Sequence, residues 1–408
     1  MKKILSFFLV FVTVFLCGCS ANPKNFLSDL ENTFNGYLST NTEYSFKDGI
    51  FIKTGVKDKE AKHLKETAVT PDGIHTLCYE KLNKTQKKIY RIMFTAANEM
   101  TENWFACGEK TKDYELDISL AYSALHCDRP ELFWLPSAYM ISKSRNYACV
   151  AFKYKKNEFD NDYLVTKEER DIMQPELEQK VSEILSVAQT LPTDYEKELF
   201  VHDTICNTAT YNLDGGKHIY NAYGALVGGT CVCEGYSRAM QLIMQRLSIP
   251  CGLMYGEYNN EGHMWNVIII GGNAYYLDTT WDDNDEYGAL HEYFNITEEQ
   301  LTKSHIISPL YSDSADDGGE KNLNFLKYPC VTDTENYYVK NGLFISEDIN
   351  TVLNAVVYCR QSGKPFAELK IMTEGDLGGI LQQVNRRLPR GRYIKEYVKI
   401  GQKALAFW

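Results

Sequence analysis

Apolar positions recur along this chain with two periods, and the switches between them lay out its elements. Leu82, Ile89, Tyr90, Met93 and Ala97 fall on one helical face, whereas YACVAFKY at 147–154 has the aromatic and β-branched content of a strand. A helix is predicted after Pro175, where Leu177, Val181, Ile184, Leu185 and Ala188 recur at helical spacing before Leu191-Pro192 ends the pattern. A second is predicted from Tyr195 to about Thr208. Past a Gly-rich loop at 228–230, Tyr236, Met240, Ile243, Met244 and Leu247 trace one stripe, so an amphipathic helix should run from about Cys233 to Leu247. Strand signals follow to about Tyr287, SADDGGEKN reads as a polar linker, and strand, helix, strand, helix, strand alternate from Tyr337 to the end. The expected organisation is a leader at 1–18, a tether at 19–25, an α+β N-terminal region at 26–165, a core at 166–313, a linker at 314–322 and a small C-terminal α/β module at 323–408.

Composition narrows the field. The 408 residues, 44% hydrophobic and 24% charged, are those of an ordinary globular chain of two or three domains. With a net charge of -11 and no Lys/Arg-dense stretch interleaved with aromatics, nucleic acid is not expected as a partner.

The first residues point to a compartment. Lys2 and Lys3 precede a mostly apolar run at 4–17, the length of a signal-peptide core and too short to span a bilayer. Leu16-Cys17-Gly18-Cys19 resembles a bacterial lipobox, which implies lipidation of Cys19 and an extracytoplasmic lipoprotein held at the membrane of the cell envelope by its acyl chains. A plain secretory signal is the alternative.

Twelve cysteines invite a disulfide count, yet ten remain after Cys17 and Cys19 are set aside, their spacing is irregular, and no connectivity can be read. There is no C-x2-C pair, and Cys231-x-Cys233 points its side chains poorly for one tetrahedral metal, so neither a metal nor another cofactor is expected. Asp278, Asp282, Asp283 and Asp285 miss the spacing of a calcium loop and read as a solvated acidic turn.

The stretch GTCVCEGYS then separates its two cysteines. Cys233 falls in the first turn of the predicted helix on its buried face, where the positive end of the dipole favours thiolate over thiol, and Cys231 falls in the loop. A lone buried cysteine is more often a small hydrophobe, so a nucleophile needs a base. GHMWNVIIIGGNAYYLDTTWDD supplies one as two strands joined by Gly271-Gly272. With those glycines as the two turn residues, Asp278 lies opposite Trp265 and diagonal to His263 on the same face, whereas a three-residue loop would send it to the other face. Cys233, His263 and Asp278 are then the parts of a thiol acyl-transfer site: nucleophile, base and the carboxylate that holds the base's tautomer, with backbone N–H groups of the helix start as oxyanion donors.

VCEGYSRAMQLIMQRLSIPC, GHMWNVIII and AYYLDTTWDD, in this order, resemble the transglutaminase-like superfamily. The resemblance covers about 190–305 and implies a papain-like α+β core with Cys233, His263 and Asp278 as its catalytic triad. YEKELFVHDTICNTATY and EYFNIT are similar to the helix leading into that core and to its exit. Tyr223 is a candidate oxyanion donor or a packing aromatic, and Trp265 and Trp281 are expected as cleft walls. The remaining histidines carry no signal. The expected activity is attack on a peptide or side-chain amide of a protein or peptide, for instance a cell-wall peptide, through a thioester resolved by water. A lysine amine as acceptor would make a cross-linking transglutaminase, and a non-catalytic surface binding protein is the rival class.

Overall fold

The computed structural model describes residues 44–47, 50–54, 60–66, 75–109, 113–136, 139–143, 147–152, 154, 164–307 and 328–408. The expected leader, Cys19, the tether and the linker lie outside the described residues. No described helix is long and apolar enough to cross a membrane.

The N-terminal sheet has the order β1-β2-β4-β5-β3, built from β1 (Tyr44–Lys47), β2 (Ile50–Thr54), β3 (Phe105–Glu109), β4 (Tyr139–Lys143) and β5 (Tyr147–Phe152). It accompanies α1 (Leu77–Lys81), α2 (Lys84–Asn98) and α3 (Tyr114–Asp128). Asn83 and Gln86 close a capping box at the start of α2, which places Leu82 ahead of the helix while Ile89, Tyr90, Met93 and Ala97 are buried along it.

α4 (Lys167–Ala188) starts eight residues before Pro175, earlier than the pattern of apolar residues suggests. Thr166 and Glu169 form its capping box, and the stretch Lys167–Asp171 that follows is polar, so hydrophobic spacing could not reveal the start. Pro175 therefore sits inside the helix, where it lacks the N–H for one backbone bond. α5 (Asp194–Thr208) follows, again opened by a capping box, here Thr193 with Glu196. β6 (Thr210–Tyr211) and β7 (Thr230–Cys231) pair in parallel on either side of a single π-helical turn at Gly224–Gly228. Gly229 ends that turn at φ +67, a conformation that suits glycine.

α6 (Cys233–Arg246) is the central helix and packs on the antiparallel sheet β10-β9-β8-β13, formed by β8 (Cys251–Tyr258), β9 (Glu261–Ile270), β10 (Asn273–Leu277) and β13 (His305–Ile307). α6 also holds the N-terminal region. Arg238, Gln241 and Gln245 donate to the carbonyls of His126, Cys127 and Asp128, the C-terminal residues of α3, at 2.8, 2.7 and 2.9 Å. Those carbonyls lack helical partners, so polar side chains of one buried helix cap the end of another.

The chain leaves the core through α7 (Thr279–Asp282), the short pair β11 (Asp283–Asn284) and β12 (Gly288–Ala289), and α8 (Glu298–Leu301). The C-terminal sheet has the order β14-β15-β17-β16, from β14 (Phe344–Ile345), β15 (Phe366–Ile371), β16 (Glu396–Ile400) and β17 (Lys403–Phe407). It carries α9 (Tyr337–Asn341), α10 (Ile349–Gln361) and α11 (Leu377–Arg387). One continuous apolar cluster runs from Cys78 through α6 to Ala406, so the three sheets share a core. The ten cysteines from Cys78 to Cys359 are buried thiols.

Candidate active site

Cys233 is the first residue of α6, after an extended Val232 whose N–H is bonded to the Ile219 carbonyl at 3.0 Å. Gly235 permits this start. A Cβ there would lie 2.5 Å from the Cys231 Cβ and 2.6 Å from the Ile219 carbonyl oxygen, so only glycine lets those segments close against the first turn. Cys231 is thus a packing residue beneath the helix start, and burial pushes its thiol well above the ordinary range. Cys233 is also buried and packs with Leu253, Met264 and Tyr255. One turn later, Ser237 donates to the Met264 carbonyl at 3.1 Å, and Asn266 donates to the Ser237 carbonyl at 3.0 Å. These bonds fix α6 on β9 beside the chain neighbour of His263.

The hairpin has the two-residue turn. Asn273 faces Ile270 and Leu277 faces Asn266, which carries Asp278 just past the ladder to His263. His263 Nε2 and Asp278 Oδ2 are 2.6 Å apart, with both side chains buried. Asp278 also caps α7: its Oδ1 accepts from the N–H of Thr280 and Trp281 at 3.1 and 3.3 Å. Burial alone would raise its carboxyl, but the charge and hydrogen bond of His263, joined by those of His305, reverse this and hold it well below the usual carboxylate range. Asp278 is ionised at neutral pH, as an orienting carboxylate must be.

A second histidine completes the cluster. His305 on β13 places Nε2 3.1 Å from Asp278 Oδ2 and its other nitrogen 2.8 Å from the Ser304 hydroxyl. Nothing in the sequence pairs it with Asp278, because their meeting depends on the order of the sheet, which sets β13 beside β8. Trp265, expected as a wall, is fully buried; it stacks on His263 at 5.9 Å and lies edge-on to His305 at 5.2 Å, so it supports both rings from below. Trp281 is 42% exposed and pairs with Tyr258 at 4.1 Å, and both rings lie about 6.4–6.5 Å from His263 at the rim. Tyr223 is elsewhere engaged: its hydroxyl donates to Glu176 of α4 at 2.5 Å, and its ring packs on Phe133 and His218, none of them residues of this cluster.

Of the aspartates in the acidic turn expected to be solvated, only Asp285 is exposed. Asp278 and Asp282 are buried, Asp282 accepts from the Tyr293 N–H at 3.0 Å and lies 3.3 Å from His202, and Asp283 accepts from the Tyr236 hydroxyl. Asp278 and Asp282 are buried, and Asp283 half-buried, because the chain after β10 folds back onto α5 and α6, a tertiary contact with no local signature. Among the described residues two groups have donor atoms within 4.8 Å of one another, close enough for a metal: His263, Asp278 and His305, and separately His202, Asp203 and His291.

Residues 184–281 match the model of the Transglutaminase-like superfamily, a span that contains Cys233, His263 and Asp278. The chain carries a transglutaminase-like domain. Similar solved structures include a candidate cysteine protease from Cytophaga hutchinsonii, with 21% identity over 33% of this chain and 52% of that one, at a TM-score of 0.23. A TGase is similar with 10% identity over 46% of this chain and 55% of that one, at a TM-score of 0.27. Menin, solved for its binding site for the Mixed Lineage Leukemia protein, is similar with 13% identity over 54% and 52%, at a TM-score of 0.23. The chain spans about half the length of each of these structures. No curated protein matches it.

Proposed function

We propose that the transglutaminase-like domain is a cysteine hydrolase that cleaves peptide or side-chain amide bonds through a thioester on Cys233. The observation that carries this reading is the buried 2.6 Å pair of His263 with an ionised Asp278, next to a helix whose first residue is a cysteine. With Nε2–H held by Asp278, Nδ1 of His263 is the basic nitrogen and takes the thiol proton. The thiolate attacks the amide carbonyl, and the imidazolium returns the proton to the leaving amine. Water, deprotonated by the same imidazole, then releases the acid and the free thiol. Hydrolysis is favoured over amine transfer because water needs no second binding site.

The protein is further proposed to act outside the cytoplasm as a lipoprotein anchored through Cys19, with protein or cell-wall peptide as substrate. Cys19→Ala should then abolish partition into detergent, and unchanged membrane retention would count against the anchor.

Mass spectrometry of a peptide library incubated with the full chain, with and without millimolar primary amine, tests the activity. Free-acid products in both arms are expected, amine adducts would convert the reading to a transglutaminase, and no product in either arm would overturn it. Iodoacetamide at about pH 6, where an ordinary thiol near pKa 8.5 is protonated, should label Cys233 before Cys231. Labelling in the reverse order would remove the nucleophile from the scheme.

A further inference from the structure

Away from the proposed triad, α5, the loop after β12 and β15 bring a second buried cluster together. Asp203 Oδ1 lies 3.0 Å from Nδ1 of His202 and 2.9 Å from Nε2 of His291. The far nitrogen of each ring also faces a buried carboxylate: Nε2 of His202 is 3.3 Å from Asp282, and Nδ1 of His291 is 2.7 Å from Glu368. The orientation of His291 is fixed further by Tyr337, stacked on it at 3.7 Å, and Glu368 is fixed by the Tyr338 hydroxyl at 2.6 Å.

We propose that His202 Nδ1, Asp203 and His291 Nε2 form a binding site for one divalent first-row transition-metal ion. Two imidazoles and one carboxylate are a common ligand set for such ions. Ligating histidines almost always donate their other ring N–H to a carboxylate or carbonyl; here His291 does so to the buried Glu368, while Nε2 of His202 lies 3.3 Å from the buried Asp282 and 3.7 Å from the Cys206 sulfur. The other trio, His263, Asp278 and His305, lacks this arrangement, since the second nitrogen of His305 meets only the Ser304 hydroxyl. Separations of 2.9 and 3.0 Å between the carboxylate oxygen and the ring nitrogens are also those of adjacent ligands at right angles around an ion with bonds of about 2.1 Å. On binding, the protons now lying between Asp203 and the rings leave to solvent and the ion takes their place. The Asp203 side chain is 28% exposed, which gives the site access to solvent. Lys364 Nζ, 3.8 Å from Asp203 Oδ2, faces the site and opposes the ion, and Lys403 acts on Asp282 and Glu368 behind it. The bound metal would join α5 to the loop after β12, with Asp282 tying His202 to α7 and Glu368 tying His291 to the C-terminal sheet.

The test is titration of the untagged full chain, freed of metal by chelator, with Co²⁺ followed by its visible absorption and with Zn²⁺ followed by calorimetry and melting. One equivalent should bind and raise the melting temperature. Asp203→Asn should weaken binding about tenfold or more and shrink the metal-induced rise accordingly, and Glu368→Gln should weaken it about 10- to 100-fold. Lys364→Ala should strengthen it, and His305→Gln should leave it unchanged. Asp203→Asn serves where His202→Ala fails to fold, because Asp203 is the most exposed of the three. Absence of stoichiometric binding, binding as tight in Asp203→Asn as in the parent, or loss in His305→Gln would each overturn the site.

Discussion

Asp278→Asn exchanges one oxygen for an amide nitrogen, and the structure dictates which oxygen. Oδ1 accepts the N–H groups of Thr280 and Trp281, whereas Oδ2 faces Nε2 of both His263 and His305. Were the amide to turn its NH2 toward Thr280 and Trp281, donors would face donors and two hydrogen bonds worth about 1 kcal/mol each would be lost. The NH2 group therefore points at the imidazoles, and its two hydrogens serve both rings. His263 must then accept at Nε2, which leaves its proton on Nδ1 and removes the base from Cys233. The same exchange in a serine-protease triad costs about 10⁴-fold, so kcat/KM should fall by about that factor, roughly 5 kcal/mol of transition-state stabilisation. Folding should suffer less: two carboxylate hydrogen bonds become neutral ones, at about 1 kcal/mol each. The assay is single-turnover cleavage of a peptide found in the library, beside urea melts and the ¹⁵N shifts of the His263 ring. A folded variant that keeps activity within about tenfold of the parent, or one that loses activity while His263 stays protonated on Nε2, would refute the reasoning.

Two further outcomes follow from single residues. Glu198 is fully buried, accepts from Asn295 at 2.8 Å, and burial pushes its carboxyl up to about 8. A carboxylate held above its unfolded value stabilises the fold fully below about pH 4.5 and loses that contribution as pH rises through 8, so Glu198→Gln should gain about 3 kcal/mol on the parent between pH 4.5 and 7; parallel urea curves at the two pH values would contradict this. Gly256 faces His263 across β8 and β9, and a Cβ there would lie 2.0 Å from the Ile306 carbonyl oxygen and 2.4 Å from Trp265. Gly256→Ala should therefore loosen β13, lower the melting temperature and uncouple His305 from Asp278, and an unaltered melt would show that the sheet edge yields without cost.

Much of the candidate site is readable from the sequence because its parts are local. The start of α6 follows from an apolar stripe beginning at Tyr236, and the meeting of His263 with Asp278 follows from a two-glycine turn that fixes the hairpin register. Local pattern carries such information because side chains three and four apart on a helix, or opposed across a hairpin, are neighbours by geometry alone. The start of α4 is hidden because Lys167–Asp171 is polar and its boundary lies in the Thr166 capping box rather than in apolar spacing. Tertiary structure alone decided the rest. His305 reaches Asp278 because β13 pairs with β8, and Asp203, His291 and Glu368 meet because the C-terminal sheet docks on α5. Burial of Asp282 has the same origin. A charged residue is read from sequence as solvated, and only the packing of distant segments around it supplies the partners that allow a carboxylate to leave water.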